Sequence, residues 1–114
     1  MTAPTSEQPA NFLLSHDKIV GYFLNLHHQQ GGPKARFFLA FGFRVADPQT
    51  LGRAILDHAV AGHFLERIEG KAGDIRLVYV GPIATPDRRD PRIKTVWLEL
   101  PEKTARFITA YPAP

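Results

Sequence analysis

The chain has 114 residues, 44% of them hydrophobic and 22% charged, with a formal net charge of +3 and no cysteine. That length holds one small domain, and without thiols there are no disulfide staples and no cysteine-ligated zinc, so packing must supply the stability. No apolar run reaches the roughly 18 residues a membrane-spanning helix needs, and the start lacks a basic stretch followed by an apolar one, so a cytoplasmic protein with no membrane partner is expected.

Residues 1–11 are polar and carry Pro4 and Pro9. This is the composition of a disordered lead-in or linker, and a single α+β domain is expected over residues 12–114. Ile19, Tyr22, Phe23 and Leu26 recur at helical spacing behind Ser15, a capping residue, and Leu14 can pack on Ile19 as a hydrophobic staple. The spacing predicts a first helix from residue 15 to residue 27 or 28. Gly31 and Gly32 break it, Pro33 suits the first position of a second helix over residues 34–41, and Gly42 stops that helix.

Asp47 followed by Pro48 is a start signal for a third helix, on which Leu51, Ala54, Ile55 and His58 fall at i, i+3, i+4 and i+7. Beyond Gly62 the period shifts towards two. Residues 63–69, 74–83, 93–100 and 105–111 read as strands separated by "GKAGD", "TPDRRDP" and "PEK". The expected fold is therefore α+β: about three N-terminal helices packed on one face of a four-stranded, mainly antiparallel sheet. Alternation places Lys94, Val96, Leu98 and Leu100 with Arg106, Ile108 and Ala110 beneath the helices. Thr95, Trp97, Thr109 and Tyr111 then lie on the opposite, open face, as a surface suited to stacking a base and contacting phosphate, or as the closure of a small core.

Several residues could carry chemistry. Lys34 follows a glycine pair in the first turn of a helix, where backbone N–H groups and the helix dipole favour an anion; the alternative is a solvated lysine. "GGPK" lacks the spacing and the preceding strand of a nucleotide phosphate loop. His28 ends the first helix, and its imidazole suits general acid or base work. Adjacent to His27 but with no third ligand, it does not define a metal site. His58, on an apolar stripe, reads either as a catalyst or as a satisfied, half-buried histidine, while His16 and His63 look like cap or strand-edge residues. The densest charge, "TPDRRDPRIK", brings Arg88, Arg89, Arg92 and Lys94 close together. It is either a solvated hairpin tip or a phosphate contact delivered beside the open face. No serine or cysteine nucleophile motif, carboxylate pair, cofactor motif or zinc site is present.

The "HQQGGPKARFF" run from His28, Gly42-Phe43, Leu56 with His58, "TPDRR" from Thr85, "TVW" from Thr95 and "TAYP" from Thr109 together resemble a small bacterial family of uncharacterised toxin-like domains. Such domains occur alone, beside small partner genes, or as C-terminal modules of larger toxins. Their order of elements is similar to that of the barnase/EndoU/colicin/RelE-like ribonucleases. The resemblance implies His28, Lys34, His58, Arg89 and Tyr111 as catalytic positions and Thr85, Thr95, Trp97 and Thr109 as substrate-binding ones. One position departs from the pattern: the family's turn reads TPDGR, and Arg88 stands where its glycine would be, which puts the direction of Arg89 in question.

The function so implied is a metal-independent, toxin-like ribonuclease acting on RNA and neutralised by a cognate antitoxin or immunity protein. Such cleavage needs a base for the 2'-hydroxyl, cations for the charge on phosphorus and an acid for the leaving oxygen. His28, Lys34 with Arg89, and Tyr111 are the candidates. A non-catalytic module that binds protein or nucleic acid, or the regulatory member of such a pair, is the alternative.

Overall fold

The computed structural model describes residues 8–25, 27 and 32–113. Its elements in chain order are β1 (Asn11–Leu13), α1 (His16–Lys18) continued by a π-helical turn (Ile19–Phe23), α2 (Gly32–Ala40), α3 (Pro48–His58), a 3-10 turn (Ala61–His63), β2 (Phe64–Glu69), β3 (Ile75–Pro82), β4 (Arg92–Leu100) and β5 (Thr104–Pro112). The strands form one five-stranded sheet in the order β1-β5-β4-β3-β2. β1 runs parallel to β5 and the other neighbours are antiparallel.

This corrects the expected fold class: among the described residues the sheet is mixed and has five strands, and only α2 and α3 are substantial helices. β1 has three residues, too few to show an alternating pattern. It exists because the outer edge of β5 offers backbone partners, and the Ala10 and Asn11 N–H groups add bonds of 2.8 and 3.1 Å to the Lys103 carbonyl. Upstream, the Tyr79 hydroxyl donates to the Gln8 side chain, and burial pushes that phenol up to about 12. The part of the expected lead-in before Gln8 lies outside the described residues.

The expected first helix is the second correction. Ser15 does cap it, accepting from the Lys18 N–H at 3.4 Å, but α1 holds only three residues before the backbone widens into the π turn. Asn25 then diverts the ladder. Its side chain donates to the Gly21 carbonyl at 3.4 Å and accepts from the His27 N–H at 2.9 Å, replacing bonds a continuing helix would make. The wide turn, closed by Leu24 N–H on the Ile19 carbonyl at 2.9 Å, buries Ile19, Phe23 and Leu24 in the core.

α2 carries Pro33 in its first turn and buries Ala35 and Phe38, and Gly42 just past its end adopts a φ of +102°, open to glycine at no steric cost. α3 starts at Pro48 and buries Leu51, Ala54, Ile55 and His58, the stripe its spacing predicts. Both helices and the π turn pack on one sheet face around Trp97, which meets Phe12 and Phe107 edge-on, each with ring centroids 5.1 Å away.

On β4 and the first half of β5 the two sheet faces are exchanged relative to expectation, while Thr109, Ala110 and Tyr111 keep the sides expected of them. Thr95, Trp97 and Ile93 are fully buried on the helix side of β4, with Leu77 and Tyr79 beside them. Val96 and Leu98 point to the other face, and of the seven residues expected beneath the helices only Ala110 joins the core cluster. β4 is apolar on both sides, so its alternation does not say which side meets the helices, and a bulge then restores the expected sides in β5: Val96 pairs with Thr109 but Trp97 pairs with Phe107, leaving Ile108 as an extra residue. The parity of β5 reverses there, which strict alternation cannot anticipate. On the second face Val78 and Val96 are also buried, whereas Ile68, Arg76 and Arg106 are exposed.

Candidate functional site

The first cluster is built where α2 meets the far half of β5. β1 covers β5 only from Thr104 to Arg106, so the rest of that edge is not paired by β1. Lys34, in the first turn of α2, donates from Nζ to Thr109 Oγ1 at 2.7 Å. The same ammonium lies 5.8 Å from the Phe23 ring centroid and 5.7 Å from that of Tyr111. Lys94, paired with Tyr111 across the β4–β5 ladder, places its own Nζ 5.7 Å from the Tyr111 ring. Two ammonium groups thus share one aromatic ring beside a threonine hydroxyl and a phenol. This is a locally positive surface cluster, partly open to solvent and suited to an anion with several oxygens.

The second cluster is buried. His58, 2% exposed, contacts Thr95 Oγ1 through Nδ1 at 3.0 Å and the Gly81 carbonyl through Nε2 at 3.1 Å. A carbonyl only accepts, so Nε2 carries the proton and Nδ1 accepts from the Thr95 hydroxyl. Thr95 Oγ1 in turn accepts from Trp97 Nε1 at 3.0 Å. The chain Trp97–Thr95–His58–Gly81 is satisfied throughout as a neutral network. Burial pulls the imidazole below its usual range, the Gly81 carbonyl opposes that shift, and the neighbouring His63 adds to it. His63 donates from Nδ1 to the His58 carbonyl at 2.8 Å, and a side chain at Gly81 would strike its ring at 2.5 Å.

The third cluster is the turn after β3. The Thr85 hydroxyl donates to Asp87 at 2.9 Å and accepts from the Asp90 N–H at 3.1 Å. Arg89 donates from Nε to Asp87 at 2.6 Å and from a terminal nitrogen to the Ala40 carbonyl at 2.7 Å, with its guanidinium 4.3 Å from the Phe41 ring centroid. Burial works to raise the Asp87 carboxyl, but the bonds from the Arg89 N–H, the guanidinium and Thr85 hold it below the usual range. Arg88, at φ +66°, occupies the left-handed region.

A family model described as a domain of unknown function, DUF6883, matches residues 8–114. The chain belongs to that family. The DUF6883 domain is also similar in fold to a chain from a contact-dependent growth inhibition toxin–immunity protein complex of Klebsiella pneumoniae 342. The TM-score is 0.69 at 13% identity, covering 89% of this chain and 99% of that one. No curated protein matches it.

Among the residues expected to form a site, the DUF6883 domain brings together Lys34, Thr109 and Tyr111. It buries His58, Thr95 and Trp97 as a separate network, and it ties Thr85 and Arg89 into a turn at the opposite end of α2, about 9 Å along the helix axis from Lys34. His28 lies outside the described residues. Lys94 was missed as a site residue. Its position facing Tyr111 follows from strand register, which the sequence shows only once both strands and the bulge between them are placed.

Proposed function

We propose that this DUF6883 domain is a toxin-type ribonuclease of the cytoplasm whose reactive phosphate sits at Lys34, Lys94, Thr109 and Tyr111, and that a cognate protein holds it in check. The observation that carries the reading is the Lys34–Thr109 hydrogen bond beside a tyrosine ring shared by two ammonium groups. The similarity in fold to a chain of a toxin–immunity complex supports it.

In this reading the 2'-oxygen of RNA attacks phosphorus and the bond to the 5'-oxygen breaks. The cations of Lys34 and Lys94 meet the charge that builds on the non-bridging oxygens. The Tyr111 hydroxyl donates to the departing 5'-oxygen, and His28, earlier in the chain than Lys34, takes the 2'-hydroxyl proton. Arg89, directed at the Ala40 carbonyl, supports α2 rather than the phosphate. His58, Thr95 and Trp97 hold the sheet under the site.

The test is to incubate the purified chain with cellular RNA and to express it without a partner. RNA cleavage and growth arrest, both lost in Lys34→Ala with folding retained, are expected. Intact RNA together with normal growth would sink the reading. The second reading, a non-catalytic module that binds through the Trp97 and Tyr111 face, is disfavoured by one observation: Trp97 is 0% exposed.

A further inference from the structure

Strand register maps the face opposite Trp97 row by row. Ile68, Arg76, Leu98, Arg106 and Leu13 stand side by side across all five strands. The next row is Glu66, Val78, Val96 and Thr109, and the one after it is Val80, Lys94 and Tyr111, followed by Pro82 and Arg92. Within the first row Ile68 and Leu13 are 43% and 49% exposed. Arg106 is exposed, and Arg76 keeps one surface contact, to Asp74 at 3.2 Å. The mapped rows hold four cations, Arg76, Arg92, Lys94 and Arg106, against one carboxylate, Glu66. In the second row Val78 and Val96 are buried, 3% and 9% exposed, so the open stripe is the first row, which crosses five strands about 4.8 Å apart and is roughly 19 Å long.

We propose that this face docks an acidic protein partner, whose carboxylates pair with Arg76 and Arg106 and whose apolar side chains cover Ile68, Leu98 and Leu13. Two observations favour protein over RNA. Exposed aliphatic residues alternating with arginine match the composition of protein interfaces, and the aliphatic members offer nothing to a phosphate backbone. The first two rows contain no aromatic side chain on which a base could stack. A shallow cleft of about 600 Å³, lined by residues that include Leu13, Leu14, Asp17, Lys18, Arg106 and Phe107, opens at the same edge and gives a partner's apolar side chain a place to anchor. A protein seated on the first row that also reaches Lys94 and Tyr111, two rows along the same face, would cover the anion cluster. Neutralisation would then be steric.

The inference rests on the proposed function only in requiring that a partner exist. The probe is the protein encoded beside this chain, made separately and titrated by calorimetry, with a 20-nucleotide single-stranded RNA as the parallel arm. Arg76→Glu with Arg106→Glu, and Leu13→Asp alone, should each weaken protein binding at least 30-fold while RNA cleavage stays within 3-fold of wild type. Arg106→Gln, a milder change, should weaken it less, and thermal melts confirm folding of every variant. Unchanged protein affinity in the variants, absence of binding by the wild-type chain, or loss of affinity for RNA alone would each overturn the proposal. A wild-type chain that binds the protein but cleaves no RNA would sink the ribonuclease reading and leave the docking surface standing.

Discussion

Lys34 and Thr109 are 75 residues apart in the chain and 2.7 Å apart in space. Their bond pins the first turn of α2 to the part of β5 that lies beyond β1, and it sets the Lys34 ammonium over the same ring that Lys94 approaches. Thr109→Val keeps the volume and removes the acceptor. Stability should fall by about 1 kcal/mol, the net worth of one such bond. Lys34→Ala should cost about 100-fold or more in kcat/KM for RNA, the usual effect of removing a group that meets transition-state charge. Denaturant melts beside a cleavage assay check both. Two variants with equal activity would remove the cluster from the chemistry.

Arg88 offers a gain of stability. Its φ of +66° is strained for a residue with a Cβ by roughly 1–2 kcal/mol, whereas glycine adopts it freely and loses only about 0.5–1 kcal/mol of chain entropy. Arg88→Gly should therefore raise the melting temperature by a few degrees, because the strain relieved exceeds the entropy lost. It should leave Arg89 on the Ala40 carbonyl, since that contact is set by Asp87 and by the packing of Gly42 against Pro86. A lowered melting temperature would mean that Arg88 makes a stabilising contact that outweighs its strain.

α3 was legible because Leu51, Ala54, Ile55 and His58 form an uninterrupted stripe, and β2 to β5 because clear turn residues bound them. β1 was not, since a three-residue strand depends on the neighbour that pairs with it. The face of Trp97 was misread because β4 is apolar on both sides, with Ile93 and Trp97 on one and Val96 and Leu98 on the other, and the extra residue Ile108 then changes which β5 side chains share a side, with nothing local in "RFITAYP" to mark it. Of the candidate site, the Lys34–Thr109–Tyr111 group was foreshadowed by the helix-end lysine and the strand hydroxyls. Arg89 was not placed, because its direction depends on where α2 ends.

Trp97 distinguishes core from platform. Fully buried, edge-on to Phe12 and Phe107 and donating to Thr95, it should cost about 3–5 kcal/mol when cut to alanine. Thr95→Val, nearly isosteric, strips a partner from both Trp97 Nε1 and His58 Nδ1. It should destabilise by about 2–4 kcal/mol, because each orphaned buried group costs ~1–3. Urea titrations measure both. Trp97 fluorescence quenched by added oligonucleotide in the folded chain would show that the ring is accessible after all.

His58 predicts the direction of the pH dependence. Burial holds its folded pKa below the 6.5 of an unfolded chain, so below that value the unfolded state binds the extra proton first. The contribution of the neutral network is complete above about pH 6.5 and is lost as pH falls through the folded pKa. One proton limits the slope to about 1.4 kcal/mol per pH unit. Between pH 8 and pH 5 the unfolding free energy of the wild type should therefore fall. His58→Gln, which can still donate to the Gly81 carbonyl but does not titrate, should give a flatter profile from a lower starting value. The Asp87 carboxylate, held below its ordinary range, loses its contribution only at more acid pH and stays out of this window. Equal pH slopes for wild type and His58→Gln, measured by urea unfolding at each pH, would assign the titration to another group.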